Sequence, residues 1–201
     1  MMRILCAVVL LTMAQPTYAD TIGVTFAGGF TTLTEFETVI GWSFTANTDL
    51  HANALGMWDE GADGFAHVAE VGLWAADGTL LSSAMVGSAS ALNGGFRFTS
   101  ITPVSLTGGN TYIVAGLLRA PDYYRAFTTL TNSPFVTWTD SRAVNMNLLT
   151  FPTQMTGRTG SYFGANVRVA PVYPLPEPGS LALLAFGLAG MCGWRWRHRR
   201  A

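Results

Sequence analysis

Apolar and polar positions divide the chain into a middle part and two ends. The middle, residues 20–171, has short apolar or alternating runs separated by Gly, Asn, Asp and Pro, whereas each end has one longer, uninterrupted apolar run. Short runs with turn residues at intervals of roughly eight to twelve positions are typical of strands in packed antiparallel sheets. No helical stripe of useful length occurs between the two ends.

Nine strands are predicted in the middle part. Alternation is clearest where Trp42 and Phe44 alternate with smaller or polar neighbours, which places both aromatic side chains on one buried face. We therefore predict an all-β fold, an antiparallel β-sandwich of jelly-roll type. Turns are predicted at 77–78, 93–95 and 108–110, which contain Gly beside Asp or Asn. The predicted strands are 22–26, 39–45, 52–58, 68–74, 80–86, 96–101, 111–118, 135–138 and 162–169.

The N-terminal run has the three parts of a secretory signal peptide. Arg3 supplies the positive charge, residues 4–13 are apolar, and a small-x-small ending closes at Ala19. We predict a signal peptide over residues 1–19, cleavage after Ala19 and export through the Sec translocon.

The C-terminal run predicts a transmembrane helix. Residues 179–194 carry no charge, and at about 1.5 Å per residue a helix over 179–196 just spans a bilayer core of about 30 Å. Arginines that follow a span stay in the cytoplasm, so 197–201 is the predicted cytoplasmic tail and the bulk of the chain lies outside. The orienting arginines are Arg195, Arg197, Arg199 and Arg200.

A Pro-rich linker, residues 172–178, joins the middle part to this span. Its Pro176, Glu177 and Pro178, followed by the apolar run and the arginines, resemble the PEP-CTERM protein-sorting signal. The resemblance implies a Gram-negative bacterium, processing near Pro178 by exosortase, a membrane-embedded Cys-dependent enzyme, and delivery of the domain to the cell surface or its polysaccharide. Two prolines hold such a segment extended and accessible to a protease.

Charge and cysteine content limit the possible partners. Both cysteines, Cys6 and Cys192, lie in the terminal segments, so the mature domain has no disulfide. Residues 20–175 hold six arginines, no lysine and eleven acidic residues, a net charge of −5. An acidic surface argues against nucleic acid as a partner.

Part of the middle resembles an uncharacterised β-rich domain that often precedes this sorting tail. Most of the shared positions are strand and turn residues, so the resemblance implies a fold and no activity. The matching pieces are 41–45, 55–59, 63–64, 71–74, 78–81, 95–98, 103–106 and 109–112.

One acidic segment has the spacing of a calcium loop. Asp59, Asp63 and Glu70 occupy loop positions 1, 5 and 12, and Gly64 occupies position 6. Gly61 at position 3 provides no ligand, and the flanks are predicted strands where an EF-hand has helices. A hairpin with a solvated acidic tip is the preferred interpretation, and a Ca²⁺ site is the alternative.

The tryptophans have two interpretations. Trp42, Trp58, Trp74 and Trp138 lie in predicted strands, which favours core positions, but some of them would serve as a sugar-stacking platform in a carbohydrate-binding module.

Candidate catalytic groups are few. His51 and His67 are the histidines of the middle part, and Glu35 and Glu37, two apart on one strand face, are the pair that a glycoside hydrolase would need. The sequence favours a protein without catalytic activity that belongs to the cell surface or extracellular matrix and contacts exopolysaccharide. A carbohydrate-binding module and a carboxylate-dependent glycoside hydrolase are the alternatives.

Overall fold

The computed structural model describes residues 20–33, 36–126, 129–155 and 162–172. These residues form β-strands and one 3-10 turn, Glu60–Ala62. The strands are β1 (Thr21–Ile22), β2 (Val24–Ala27), β3 (Phe30–Leu33), β4 (Thr38–Ala46), β5 (Leu50–Trp58), β6 (Ala69–Ala75), β7 (Leu80–Val86), β8 (Ala91–Asn93), β9 (Phe96–Leu106), β10 (Thr111–Leu118), β11 (Tyr123–Ala126), β12 (Thr129–Asn132), β13 (Val136–Val144), β14 (Gln154–Met155), β15 (Tyr162–Phe163) and β16 (Ala165–Pro171).

The described strands form two large antiparallel sheets and two small ones. The first large sheet has the order β1-β16-β5-β9-β8, and the second has the order β14-β13-β4-β10-β6-β7. The small sheets are β15-β11-β3 and β12-β2. The prediction of an all-β, antiparallel fold is confirmed.

One apolar core takes side chains from both large sheets. Trp42 and Phe44 of β4 are fully buried in it together with Leu55 of β5 and Val167 of β16. The Trp42 indole Nε1 donates a hydrogen bond to the backbone oxygen of Ala165 at 2.8 Å, which joins the two sheets directly. The inward position predicted for Trp42 and Phe44 is therefore confirmed.

The opposite face of the six-stranded sheet is also covered. Val39, Trp74 and Ile113 are buried there in a second cluster, against which Leu149 and Phe151 pack from the segment between β13 and β14. The Trp74 and Phe151 rings meet edge to face with centroids 6.3 Å apart. This sheet is therefore buried on both faces at its centre.

Two strands, β9 and β13, are longer than predicted because β-bulges accommodate residues that would interrupt a regular ladder. β9 continues to Leu106, and the register with β5 shifts between Ala52 and Ala54, where Pro103 falls in the gap. β13 continues to Val144 past a shift between Trp138 and Asp140. Bulges tolerate residues that an unbroken ladder excludes, proline among them.

The registers define two ends of the molecule. Leu50 of β5 pairs with Leu106 and with Pro171, so residues 46–50, 106–111 and 171–172 form one end, the exit end. Trp58 pairs with Phe96 at the other end of β5, so residues 58–66, 94–96 and 118–123 form the far end. Nine residues of extended strand separate the ends by about 27 Å.

The predicted signal peptide, 1–19, the linker beyond Val172 and the predicted transmembrane helix, 179–196, lie outside the described residues. Within the residues that are described, no helix has the length and apolar character needed to cross a membrane.

Candidate functional site

A buried ion pair holds the loop at the far end in place. Asp59 is buried, with its side chain 0% exposed, and Arg97 donates to its Oδ2 through Nε at 2.6 Å. The backbone N–H of Gly64 donates to the same carboxylate, at 3.0 and 3.2 Å from its two oxygens. The loop that begins at Asp59 therefore folds back onto its own first side chain.

The Arg97 guanidinium connects its own strand, β9, to two other segments of the far end. Besides Asp59 it donates to the backbone oxygens of Ser88 at 2.6 Å, Ser90 at 3.2 Å and Ala62 at 3.2 Å. Arg97 thus fixes the 59–66 loop against the connection between β7 and β8.

These hydrogen bonds occupy the carboxylate of Asp59, which is the first ligand of the predicted calcium loop. Asp59 accepts from Arg97 and Gly64, whereas Glu70 lies in β6. Across the described residues, no group of three or more His, Cys, Asp or Glu side chains is placed to hold a metal ion. The structure does not bring Asp59, Asp63 and Glu70 together, and the Ca²⁺ site stays a prediction.

A pocket of about 210 Å³ opens between the 59–66 loop and the segment before β11. Three aromatic side chains and three carboxylates line it, so its walls combine flat apolar faces with hydrogen-bond acceptors. Pockets for drug-sized ligands measure roughly 300–1,000 Å³, so this one fits a smaller group such as a single sugar ring. The lining aromatic and acidic residues are Trp58, Phe65, Tyr123, Glu60, Asp63 and Asp122.

Trp58 lines the pocket, and its ring also packs against other side chains. The Phe26 ring lies 4.7 Å from it, and the guanidinium carbon of Arg125 lies 5.6 Å from its centroid. Its indole Nε1 donates to Glu60 Oε2 at 3.0 Å and so positions that carboxylate. Tyr123, which is 45% exposed, is the lining ring that is open to a ligand.

The other three tryptophans among the described residues fall in or beside the two cores. Trp42 and Trp74 are buried, which confirms their predicted core positions and excludes them from a sugar platform. Trp138 is half-buried against Phe163, with ring centroids 6.2 Å apart. Tyr123 and Phe65 line the pocket as well, and the sequence did not predict this because the two residues come together only in the fold.

Asp122 ties the two pocket walls to each other. Its Oδ1 accepts from the backbone N–H of Ala66 at 2.9 Å, and His67 Nδ1 lies 3.9 Å from its Oδ2. His51 instead faces Ser105 near the exit end, with Nδ1 and Oγ 3.5 Å apart. The two histidines therefore lie at opposite ends of the domain.

The predicted pair of glutamates is described only in part. Glu37 is exposed and lies 3.4 Å from Arg119 Nε, whereas Glu35 lies outside the described residues.

These features define an all-β domain that is joined to a sorting tail. Residues 31–164 match a domain of unknown function, DUF4082, and the chain belongs to this family. Residues 174–200 match the PEP-CTERM protein-sorting motif, which confirms the resemblance of Pro176, Glu177 and Pro178. The family match extends well past 41–112, the part in which the sequence resembles a β-rich domain. A search of curated proteins and a search of solved structures each found no match.

The sorting motif carries a functional implication of its own. It implies an exported surface protein whose tail directs it to the membrane, where exosortase processes it.

Proposed function

We propose that this chain is an exported cell-surface or extracellular-matrix protein whose domain is a cofactor-free, non-catalytic jelly-roll sandwich in contact with exopolysaccharide. The observation that carries the proposal is the PEP-CTERM motif directly behind the β domain. Exosortase and the Sec translocon are its partners during export, and the C-terminal helix anchors it in the membrane until the tail is cut.

The strand orders support the jelly-roll assignment. When eight strands of the two large sheets are numbered along the chain, the five-stranded sheet runs 1-8-3-6 and the six-stranded sheet contains 2-7-4-5. Strands that alternate in this way between two facing sheets have the double Greek key winding of a jelly roll. β8, β13 and β14 extend the sheet edges. The eight strands are β1, β4, β5, β6, β7, β9, β10 and β16.

The pairing of two carboxylates, Asp59 and Glu37, with arginines supports a non-catalytic role for both. Asp59 and Arg97 neutralise each other inside the far end, and Glu37 is paired with Arg119. A general base requires a group within hydrogen-bond reach of a substrate, and these carboxylates are engaged with arginines instead.

Mass spectrometry of the protein secreted by the producing bacterium tests the export proposal. We expect an N-terminus at Asp20 and a C-terminus near Pro178, because a signal peptidase and exosortase remove the two ends. A secreted chain that retains Met1, or one that retains the Arg195 to Arg200 cluster, would contradict the proposal. The same spectrum shows whether a group is attached at the new C-terminus.

A second candidate function, sugar binding, is favoured by the composition of the far-end pocket. Tyr123 offers an exposed ring to a sugar face, while Glu60, Asp63 and Asp122 offer acceptors to hydroxyl or amine groups. Three carboxylates repel uronic acids, so this pocket favours neutral or amine-bearing sugars.

Substitution of Tyr123 tests this second candidate. We expect Tyr123→Ala to weaken binding of a glucosamine oligosaccharide, measured by isothermal titration, by about tenfold, or 1.4 kcal/mol. Phe36→Ala is the matched control, because Phe36 is exposed and does not line the pocket. Absence of binding heat in the unaltered protein, or equal affinity in both variants, would rule out sugar binding at this pocket.

A further inference from the structure

We infer that the exit end is the surface by which this domain docks on the external face of the processing enzyme while its tail is cut, with the pocket at the far end pointing away from the membrane. The inference rests on the proposed processing at the PEP motif.

The first support is the shortness of the tether. The last described residue, Val172, is bonded to the domain through its backbone N–H, which donates to the Asp49 oxygen at 2.8 Å. Pro176 follows four residues later, and a chain covers at most about 3.6 Å per residue, so the motif begins within about 14 Å of the domain. An enzyme that holds the motif must therefore meet the exit end.

The second support is the firm connection between the exit point and its neighbouring turn. Asp49 also accepts from the backbone N–H of Gly108 through its carboxylate at 2.8 Å, and the N–H of Gly109 donates to the Ala46 oxygen at 2.7 Å. Asp49 thus joins the point where the tail leaves to the Gly108–Gly109 turn through hydrogen bonds.

The chemistry of the exit end fits a polar protein surface better than lipid. Residues 47–49 and 107–110 contain no aromatic or large apolar side chain. The turn with Asp77 lies at this end too, because Ala75 pairs with Tyr112. The Thr79 N–H donates to Asp77 Oδ1 at 2.9 Å and lowers the pKa of this exposed carboxyl. The turns of this surface are polar and acidic, and Val172, which is 37% exposed, adds an apolar side chain at the point where the tail leaves.

β9 supplies a matched pair of insertion sites. A Gly-Gly turn precedes it at Gly94–Gly95 in the far end, and another follows it at Gly108–Gly109 in the exit end. A small folded domain of about 50 residues can be inserted into either turn. Its radius of gyration is about 10 Å, so in the exit end it would fill the gap of about 14 Å that the tether allows between the domain and the enzyme.

The experiment inserts the 50-residue folded domain, flanked by Gly/Ser linkers, into one turn or the other of the full-length precursor, which is expressed in the producing bacterium. Immunoblots then give the ratio of processed protein to precursor. We expect the exit-end insertion to lower this ratio by about tenfold or more. With the insert in the way, the short tether no longer lets the motif reach the active site, so the effective concentration of the motif there is lost. We expect the far-end insertion to leave the ratio unchanged. Protease resistance of each precursor reports folding.

A third variant separates steric blockage from misfolding. It combines the exit-end insertion with a twenty-residue Gly/Ser spacer ahead of Pro176, which adds a root-mean-square reach of about 25 Å. We expect the spacer to restore processing. Equal processing of both insertions, equal loss in both, or failure of the spacer would overturn the inference. If the unaltered chain were itself not processed, the proposed function would fail instead.

Discussion

Arg97→Met is expected to lower the free energy of unfolding by about 3–5 kcal/mol, because it leaves a charged Asp59 buried without its partner. The Asp59 side chain is fully shielded from solvent and that of Arg97 is 13% exposed, so water cannot take over the role of the guanidinium. The substitution also leaves the oxygens of Ser88 and Ala62 without this donor. Urea unfolding of the mature domain, followed by tryptophan fluorescence, measures the loss.

A second arginine provides the matched control. Arg119 pairs with Glu37, but the two side chains are 32% and 43% exposed, so Arg119→Met is expected to cost less than about 1 kcal/mol. The double variant Asp59→Leu with Arg97→Met removes both charges and is expected to be more stable than Arg97→Met alone. Equal losses for Arg97→Met and Arg119→Met would show that the buried pair contributes no more than a surface pair.

The contact between Asp59 and Arg97 could not be predicted from the sequence. The acidic spacing from Asp59 to Glu70 is local and visible, and it indicates a calcium loop or an acidic hairpin. The residue that engages Asp59 is Arg97, 38 positions away, and its polar side chain fits an outward strand position equally well. Only the pairing of Trp58 with Phe96 brings the two charges together.

Turns and inward aromatic residues were predictable because their signals are local. Gly78, Gly94 and Gly109 each have φ in the left-handed region, at 91°, 60° and 83°, as the predicted turns require. The short strands were not predictable in the same way. β3, β8, β11, β12 and β14 have two to four residues each, too few to show a period, and they exist because a neighbouring strand pairs with them.

Burial on both faces hides the period of the central strands. In β10, all residues after Thr111 are buried, because one face meets the common core and the other meets Trp74 and its cluster. An alternating pattern predicts a solvated outer face for this sheet. The segment between β13 and β14 covers that face instead, and its sequence gives no signal that it packs there.

The close approach of two neighbouring strands, β4 and β10, makes Gly41→Ala the substitution with the second largest expected effect. Gly41 pairs with Ala115 in the middle of the six-stranded sheet, and a Cβ at this position would overlap the backbone of Val114 and Ala115. Backbone atoms of a central strand cannot move aside as the end of a flexible side chain can. We expect a loss of about 3 kcal/mol in the free energy of unfolding, the upper part of the usual range for overpacking.

Space, and not backbone conformation, is the reason for glycine here, since Gly41 is not among the glycines with positive φ. Gly87→Ala is therefore the matched control: this glycine also lacks a positive φ, and an added Cβ would lie 3.6 Å from the nearest Val68 methyl group. We expect that variant to remain within about 0.5 kcal/mol of the parent. If both variants unfold at the same urea concentration, the close approach of the β10 backbone does not constrain position 41.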